Sequence, residues 1–319
     1  MKNGNRIEYL DSAGGILLIH MIAWHCWQCA NLPQDAFWLR LLSFFMPWFF
    51  YKAGMFYKPN DTITVIKKGW KRLIIPYIIY SLLGSCVLCV KLIVSNEFIL
   101  QNFVITFFSS LVKTGSVPGN LPLWFLFSLF IVRILYNFVH NKLGQKYIWA
   151  IISITIILWI FSNYVHSILP MYVLNISTGL FFYLLGNKLK NIHCNWKIVF
   201  LLVILYLCSV IFFPQIVDMR TTKIIHGNFY GWLLISAIGI IAFNSFSCKV
   251  MDNVNIFSMI GKNTMPIYCW HWIVLLIISS ISIFNSINNY EYFIIELISI
   301  LALIPIFIYF DKIILRVKI

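Results

Sequence analysis

The residues able to do chemistry are few, and the leading apolar stretch holds most of them. It begins Arg6-Ile-Glu-Tyr-Leu-Asp11 and runs through Gly14, Gly15 and His20 to Trp24-His25. An imidazole titrates near working pH and can take a proton from a hydroxyl, so His25 is the candidate general base. On a helix, Asp11 and His25 fall about 40° apart around the axis and about 21 Å apart along it. They share a face with Gly14, Gly15, Leu18, Ile22 and Cys29. Too distant for a mutual hydrogen bond, they can mark two ends of one path. The glycines let a second helix or a ligand come close. His20 is turned about 140° away from His25. The plainer reading of either ring is a histidine that packs one helix on another.

Other candidates are scattered. Arg133 lies ten residues after Leu123. A charge that deep wants an anionic partner or a wet cavity, although a long side chain can also snorkel inward. Trp124 follows the turn Pro118-Gly-Asn-Leu-Pro122, as an interfacial anchor or as part of a binding wall. His271 closes the run Gly261-Lys-Asn-Thr-Met-Pro-Ile-Tyr-Cys-Trp-His. Glu296 is the clear intramembrane carboxylate and a candidate to orient His25. The loop 215–228 carries Asp218, Arg220 and His226, suited to an acceptor or simply solvated. Lys67, Lys68, Lys71 and Arg72 form a basic cluster that can hold phosphates, or can anchor the chain at lipid headgroups. There is no glycine-rich phosphate loop. Of the eight cysteines, Cys26/Cys29 and Cys86/Cys89 have C-x-x-C spacing. The second pair sits mid-span, where thiols behave as small hydrophobes, and we expect no metal site.

These residues need elements to hold them, and composition says which. Of 319 residues 61% are hydrophobic and 11% charged, with mean hydropathy +0.86. A soluble domain carries roughly 25% charged residues, so a soluble enzyme, a disordered chain and a disulfide scaffold are excluded. Ten apolar segments can be drawn: 10–30, 36–57, 73–94, 121–140, 147–165, 169–187, 196–214, 229–247, 264–284 and 291–311. The stretch 98–112 is shorter and more mixed, and reads as interfacial or re-entrant, or else as a full span. The expected architecture is all-α and polytopic, with about ten transmembrane helices, both termini cytoplasmic, and a single domain over 1–319. No cleavable leader is apparent, because the first apolar run merges with the first span.

The net charge of +14 would suggest nucleic acid in a soluble protein. Here it fits cytoplasmic loops, and no nucleic-acid partner is expected. With ten spans, seventeen of the 24 Lys and Arg residues fall on the inner side. Five fall outside, namely Arg40, Lys91, Lys113, Arg220 and Lys223, while Lys52 and Arg133 lie within spans. Nine or eleven spans would break that alternation.

In order along the chain, the motifs resemble the acyltransferase-3 family of bacterial membrane O-acyltransferases, most closely its fucose 4-O-acetylase-like branch. The opening pattern is Arg6, Leu10-Asp11, Gly14-Gly15-Ile16 and His25. It is followed by Phe45-Met-Pro-Trp-Phe-Phe50 with Gly54, Phe56 and Lys58-Pro59, then Arg72-Leu-Ile-Ile-Pro-Tyr77. Leu123-Trp-Phe-Leu126, Phe182-Tyr-Leu-Leu-Gly186 and the Gly261…His271 signature complete it, with the weaker Val217-Asp-Met-Arg220. Two family positions differ, Gly14 for a usual Lys and Ala53 for a usual Ser. Some members carry an R-x-x-R pair where position 69 is Gly.

The resemblance implies acetyl-CoA as co-substrate and a glycan or lipid-linked sugar hydroxyl as acceptor, in the bacterial inner membrane among its lipids. Succinyl is the other donor group it allows. Arg6, Asp11, Lys68, Lys71 and Arg72 are then expected to bind the donor. His25, Arg133 and His271 are expected at the reaction, the last two with Tyr268 as candidates to stabilise the oxyanion. Trp124, Arg220, His226 and Glu296 are expected on the acceptor side. Competing classes are a transporter or glycan flippase, and a non-catalytic sensor or export partner. Transporters often carry inverted repeats, and no internal repeat is visible here.

Overall fold

The computed structural model describes residues 7–190, 195–251, 255–281 and 287–316. Arg6 lies outside them. The chain is about 80% helical, with one short hairpin, Ile216–Asp218 against Lys223–His226. Each of the ten apolar segments is helical over most of its length, and the mixed stretch forms a helix too, Leu100–Thr114.

Among the described residues three helices are long and apolar enough to cross a membrane unaided: Thr62–Val94, Leu121–Ile160 and Phe229–Val250. Asn289–Ala302 and Ile304–Ile314, bent by 50°, can act together as a fourth. Pro305 accounts for the bend, since it lacks the N–H that would bond back one turn. Other segments break for local reasons. The second divides into Phe37–Leu41 and Phe45–Met55 around Leu42–Phe44, and Pro47 sits in the first turn of the latter, where a missing N–H costs nothing. The fifth divides into Tyr147–Ile160 and Ser162–Ile168.

Close helix approach rests on glycines whose missing Cβ admits a neighbour's backbone. Gly54 packs on the Tyr183 carbonyl and Gly186 on the Tyr51 carbonyl, so Phe45–Met55 and Tyr172–Leu189 clasp each other reciprocally. Gly15 meets the Phe257 carbonyl and Gly261 the Asp11 carbonyl, which clasps the leading helix Glu8–Cys29 to Asn255–Lys262 in the same way. Apolar side chains gain little from leaving lipid for protein, so such small-residue contacts and polar pairs must supply much of the association.

The leading helix is buried along nearly its whole length. It runs antiparallel to Phe45–Met55: Lys52 lies by Asp11, while Phe45 lies by His20 and Trp24. One end of the bundle therefore gathers Asp11, Lys52 and Gly261, and the other His25, Phe45 and the hairpin. At the first end, Asp61 caps Thr62–Gly69 by accepting the Thr64 N–H at 2.7 Å. Bonds from Thr64 hold the Asp61 carboxyl below the usual carboxylate range.

Candidate active site

His25 sits at the far end of the leading helix, half-buried, in the wall of a cavity of about 80 Å3. Trp24 and Gln28 join it from the same helix. Ser43, Phe45 and Met46 come from the next segment, Trp124 from the opening of Trp124–Leu143, and Tyr268 and Trp272 from Thr264–Ile278. Val217 to Arg220, in the hairpin and its turn, complete the wall of the cavity. The loop before Trp124 is pinned by Asn120, whose Nδ2 donates to the Cys269 carbonyl at 2.9 Å.

His271 is fully buried and stacks on His25, ring centroids 5.4 Å apart and planes 24° from parallel. Its Nδ1 lies 2.7 Å from the Tyr268 carbonyl. A carbonyl only accepts, so Nδ1 carries the proton and Nε2 is left with a lone pair in the neutral ring. Trp272 meets His25 edge to face at 5.3 Å and 85°. His25 is thus held between two aromatic planes.

A second cavity of about 160 Å3 adjoins the first and is almost purely apolar. Leu73, Thr264 and Met265 line it together with Phe49, Phe125 and Leu129. Met46 and Tyr268 line both cavities and form their shared wall. Leu73 follows directly on Lys71 and Arg72, which are exposed together with Lys67 and Lys68. This basic turn is a π-helical segment, Trp70–Ile74, an irregularity frequent at functional sites. The apolar cavity therefore runs from beside the basic cluster toward the His25 cavity.

The structure thus brings together five expected residues, His25, His271, Trp124, Arg220 and Tyr268, and sets others apart. Arg133 is half-buried beside Tyr183, away from both cavities. His226 is exposed on its strand and lines neither. Glu296 is fully buried, but near Cys26, Cys29 and Tyr292; among the described residues no hydrogen bond joins it to His25. The oxyanion candidates are otherwise engaged: the Tyr268 hydroxyl donates to the Pro122 carbonyl, and the His271 proton goes to Tyr268. Among the described residues no three His, Cys, Asp or Glu side chains cluster to hold a metal.

Three positions were not legible as functional. Gln28 enters the cavity one turn beyond His25, and only helical spacing from His25 could have flagged it. Trp272 was hidden as one more aromatic in an apolar run. Lys52 is the partner of Asp11: its ammonium lies 3.5 Å from the carboxylate, 3.0 Å from the Leu10 carbonyl and 5.4 Å from the Trp48 ring centroid. An in-span lysine and an in-span carboxylate do invite pairing, and that was the available signal. A Cβ on Gly14 would stand 3.3 Å from the Lys52 ammonium, so this lysine occupies the space above the glycine. Gly69, where some members carry an arginine, is buried against the Phe130 ring.

The structure thus has a helical scaffold with a histidine-lined cavity and an apolar cavity beside a basic turn. The acyltransferase-domain family model matches residues 7–311, and the chain belongs to this acyltransferase-3 family. No curated protein and no solved structure matches it.

Proposed function

We propose that the protein transfers an acetyl group from acetyl-CoA to a hydroxyl of a cell-envelope or exported glycan, from the bacterial inner membrane. The observation that carries this reading is the pair of cavities sharing the Met46–Tyr268 wall, one beside the basic turn and one around His25. Ten spans with both termini cytoplasmic would put the basic turn in the cytosol, where acetyl-CoA is made, and the hairpin outside. The motifs resemble those of the fucose 4-O-acetylase-like branch.

In this reading Lys67, Lys68, Lys71 and Arg72 attract the donor's phosphates, and the pantetheine arm follows the apolar cavity past Leu73 and Leu129. The thioester arrives at the shared wall. His25 takes the acceptor's proton as the hydroxyl oxygen attacks the thioester carbon. The tetrahedral intermediate then collapses, the C–S bond breaks, and the leaving thiolate recovers the proton from His25 as free CoA. Gln28 offers the amide N–H that can face the developing oxyanion. His271 carries no proton toward the cavity and acts by holding the His25 ring. Trp24, Trp124 and Trp272 offer flat apolar faces to a sugar ring.

The test is acetyl-CoA-dependent acetylation of the envelope glycan, read by mass spectrometry, in a deletion strain complemented with wild type or His25→Ala. Acetylation restored by wild type alone supports the enzyme. Full restoration by His25→Ala removes the proposed base, and unchanged acetylation with lost glycan export would instead favour a flippase.

A further inference from the structure

Arg220 has no carboxylate partner within ion-pair distance among the described residues, although it is half-buried in the wall of the His25 cavity. The obvious partner, Asp218, is turned onto its own loop. Its Oδ1 accepts the Arg220 backbone N–H at 2.9 Å and its Oδ2 the Thr221 hydroxyl at 2.6 Å. This turn is an Asx type, in which the aspartate stands in for backbone. Thr222, at φ 56°, completes the reversal between the strands. Fixed in this way, the hairpin presents a guanidinium to the cavity while its carboxylate is satisfied by two donors.

The rest of the wall makes the charge count. Among the described lining residues Arg220 is the permanent cation and Asp218 the carboxylate; the remainder are aromatic, aliphatic or neutral polar, with His25. An ionic contact to a half-buried guanidinium is stronger than one at an open surface. A guanidinium also offers paired N–H groups that match a carboxylate or phosphate.

Resting on the acyl-transfer reading, we infer that the acceptor is a sugar carrying an anionic substituent, a carboxylate or a phosphate, which pairs with Arg220 while a hydroxyl faces His25. Arg220 is then the residue that sets acceptor specificity, and the three tryptophans hold the ring between charge and base.

Binding can be measured without turnover, by intrinsic tryptophan fluorescence of the purified full chain. The probes are methyl β-D-glucoside, methyl β-D-glucuronide and D-glucose 6-phosphate. At least one anionic sugar should bind about tenfold more tightly than the neutral glycoside, the advantage of one good ionic contact. Comparing glucuronide with phosphate tells which anion the site takes. Arg220→Gln should reduce the preference to about threefold or less, and Arg220→Lys, which keeps the charge but not the paired N–H groups, should fall between that and wild type, which separates lost charge from lost fold. The inference is overturned if the neutral sugar binds as well as both anionic ones. It is equally overturned if neither anionic sugar binds, or if the preference survives in Arg220→Gln. A preserved anionic preference without acetylation would sink the catalytic reading alone.

Discussion

The His25 and His271 rings lie face to face, 5.4 Å apart, with the His271 proton committed to the Tyr268 carbonyl. Stacked rings have no in-plane hydrogen bond between them, so the pair is not a proton relay. The two histidines should therefore differ when replaced. His25→Ala is expected to cut acetyl transfer by about 10²–10⁴, the usual worth of a general base. His271→Phe keeps a flat ring behind His25 and should retain far more activity than His25→Ala. Single-turnover rates with acetyl-CoA check this; equal losses would make His271 a second participant.

The donor path makes a steric prediction. Leu129 lines the apolar cavity and not the His25 cavity. Leu129→Trp should fill the throat and raise the KM for acetyl-CoA by about tenfold or more, roughly the loss of one good contact. Acceptor binding followed by fluorescence should stay unchanged. Equal weakening of donor and acceptor would mean the cavities are not separate paths.

The Lys52–Asp11 pair ties the leading helix to Phe45–Met55 at the end opposite His25. Lys52→Met leaves a buried carboxylate short of its cation. The cost should be about 1–3 kcal/mol, below that of a fully buried pair because the lysine is partly exposed. Adding Asp11→Asn should recover much of it. Thermal unfolding in detergent reads both, and a double variant no better than the single would remove the coupling.

Gly69 offers a test of family pattern against local packing. Some relatives in motif carry arginine at this place, yet here a side chain would run into Phe130. Gly69→Arg should destabilise by about 1–3 kcal/mol through overpacking, despite adding a cation to the basic turn. Combining it with Phe130→Ala should relieve the strain. If Gly69→Arg alone is stable and lowers the KM for acetyl-CoA, the packing argument fails.

Much of the fold was legible in the sequence because hydropathy is a local property. The ten apolar segments coincide with helices for that reason. The breaks at Leu42–Phe44 and near Pro305 were harder to place, since an apolar run looks the same straight or bent. Among the described residues three helices meet the length and apolarity needed to span alone, and a bent pair can add a fourth. The site was legible residue by residue but not as an arrangement. His25, His271, Trp124 and Arg220 were singled out and do converge. Arg133 and Glu296 were singled out on the same ground, a charge in an apolar run, and lie elsewhere.

Sequence alone determined that the chain is a helical membrane protein, which histidines and basic residues it can use, and the family motifs that order them. Tertiary structure alone decided that two imidazoles stack, that Lys52 rather than a loop cation meets Asp11, and that Arg220 enters the His25 cavity while His226 does not. The reason is physical. Whether a residue prefers lipid or water depends on its own chemistry and its near neighbours in the chain. Which side chains meet depends on how helices far apart in sequence pack, and here that is set by where glycines let one backbone approach another.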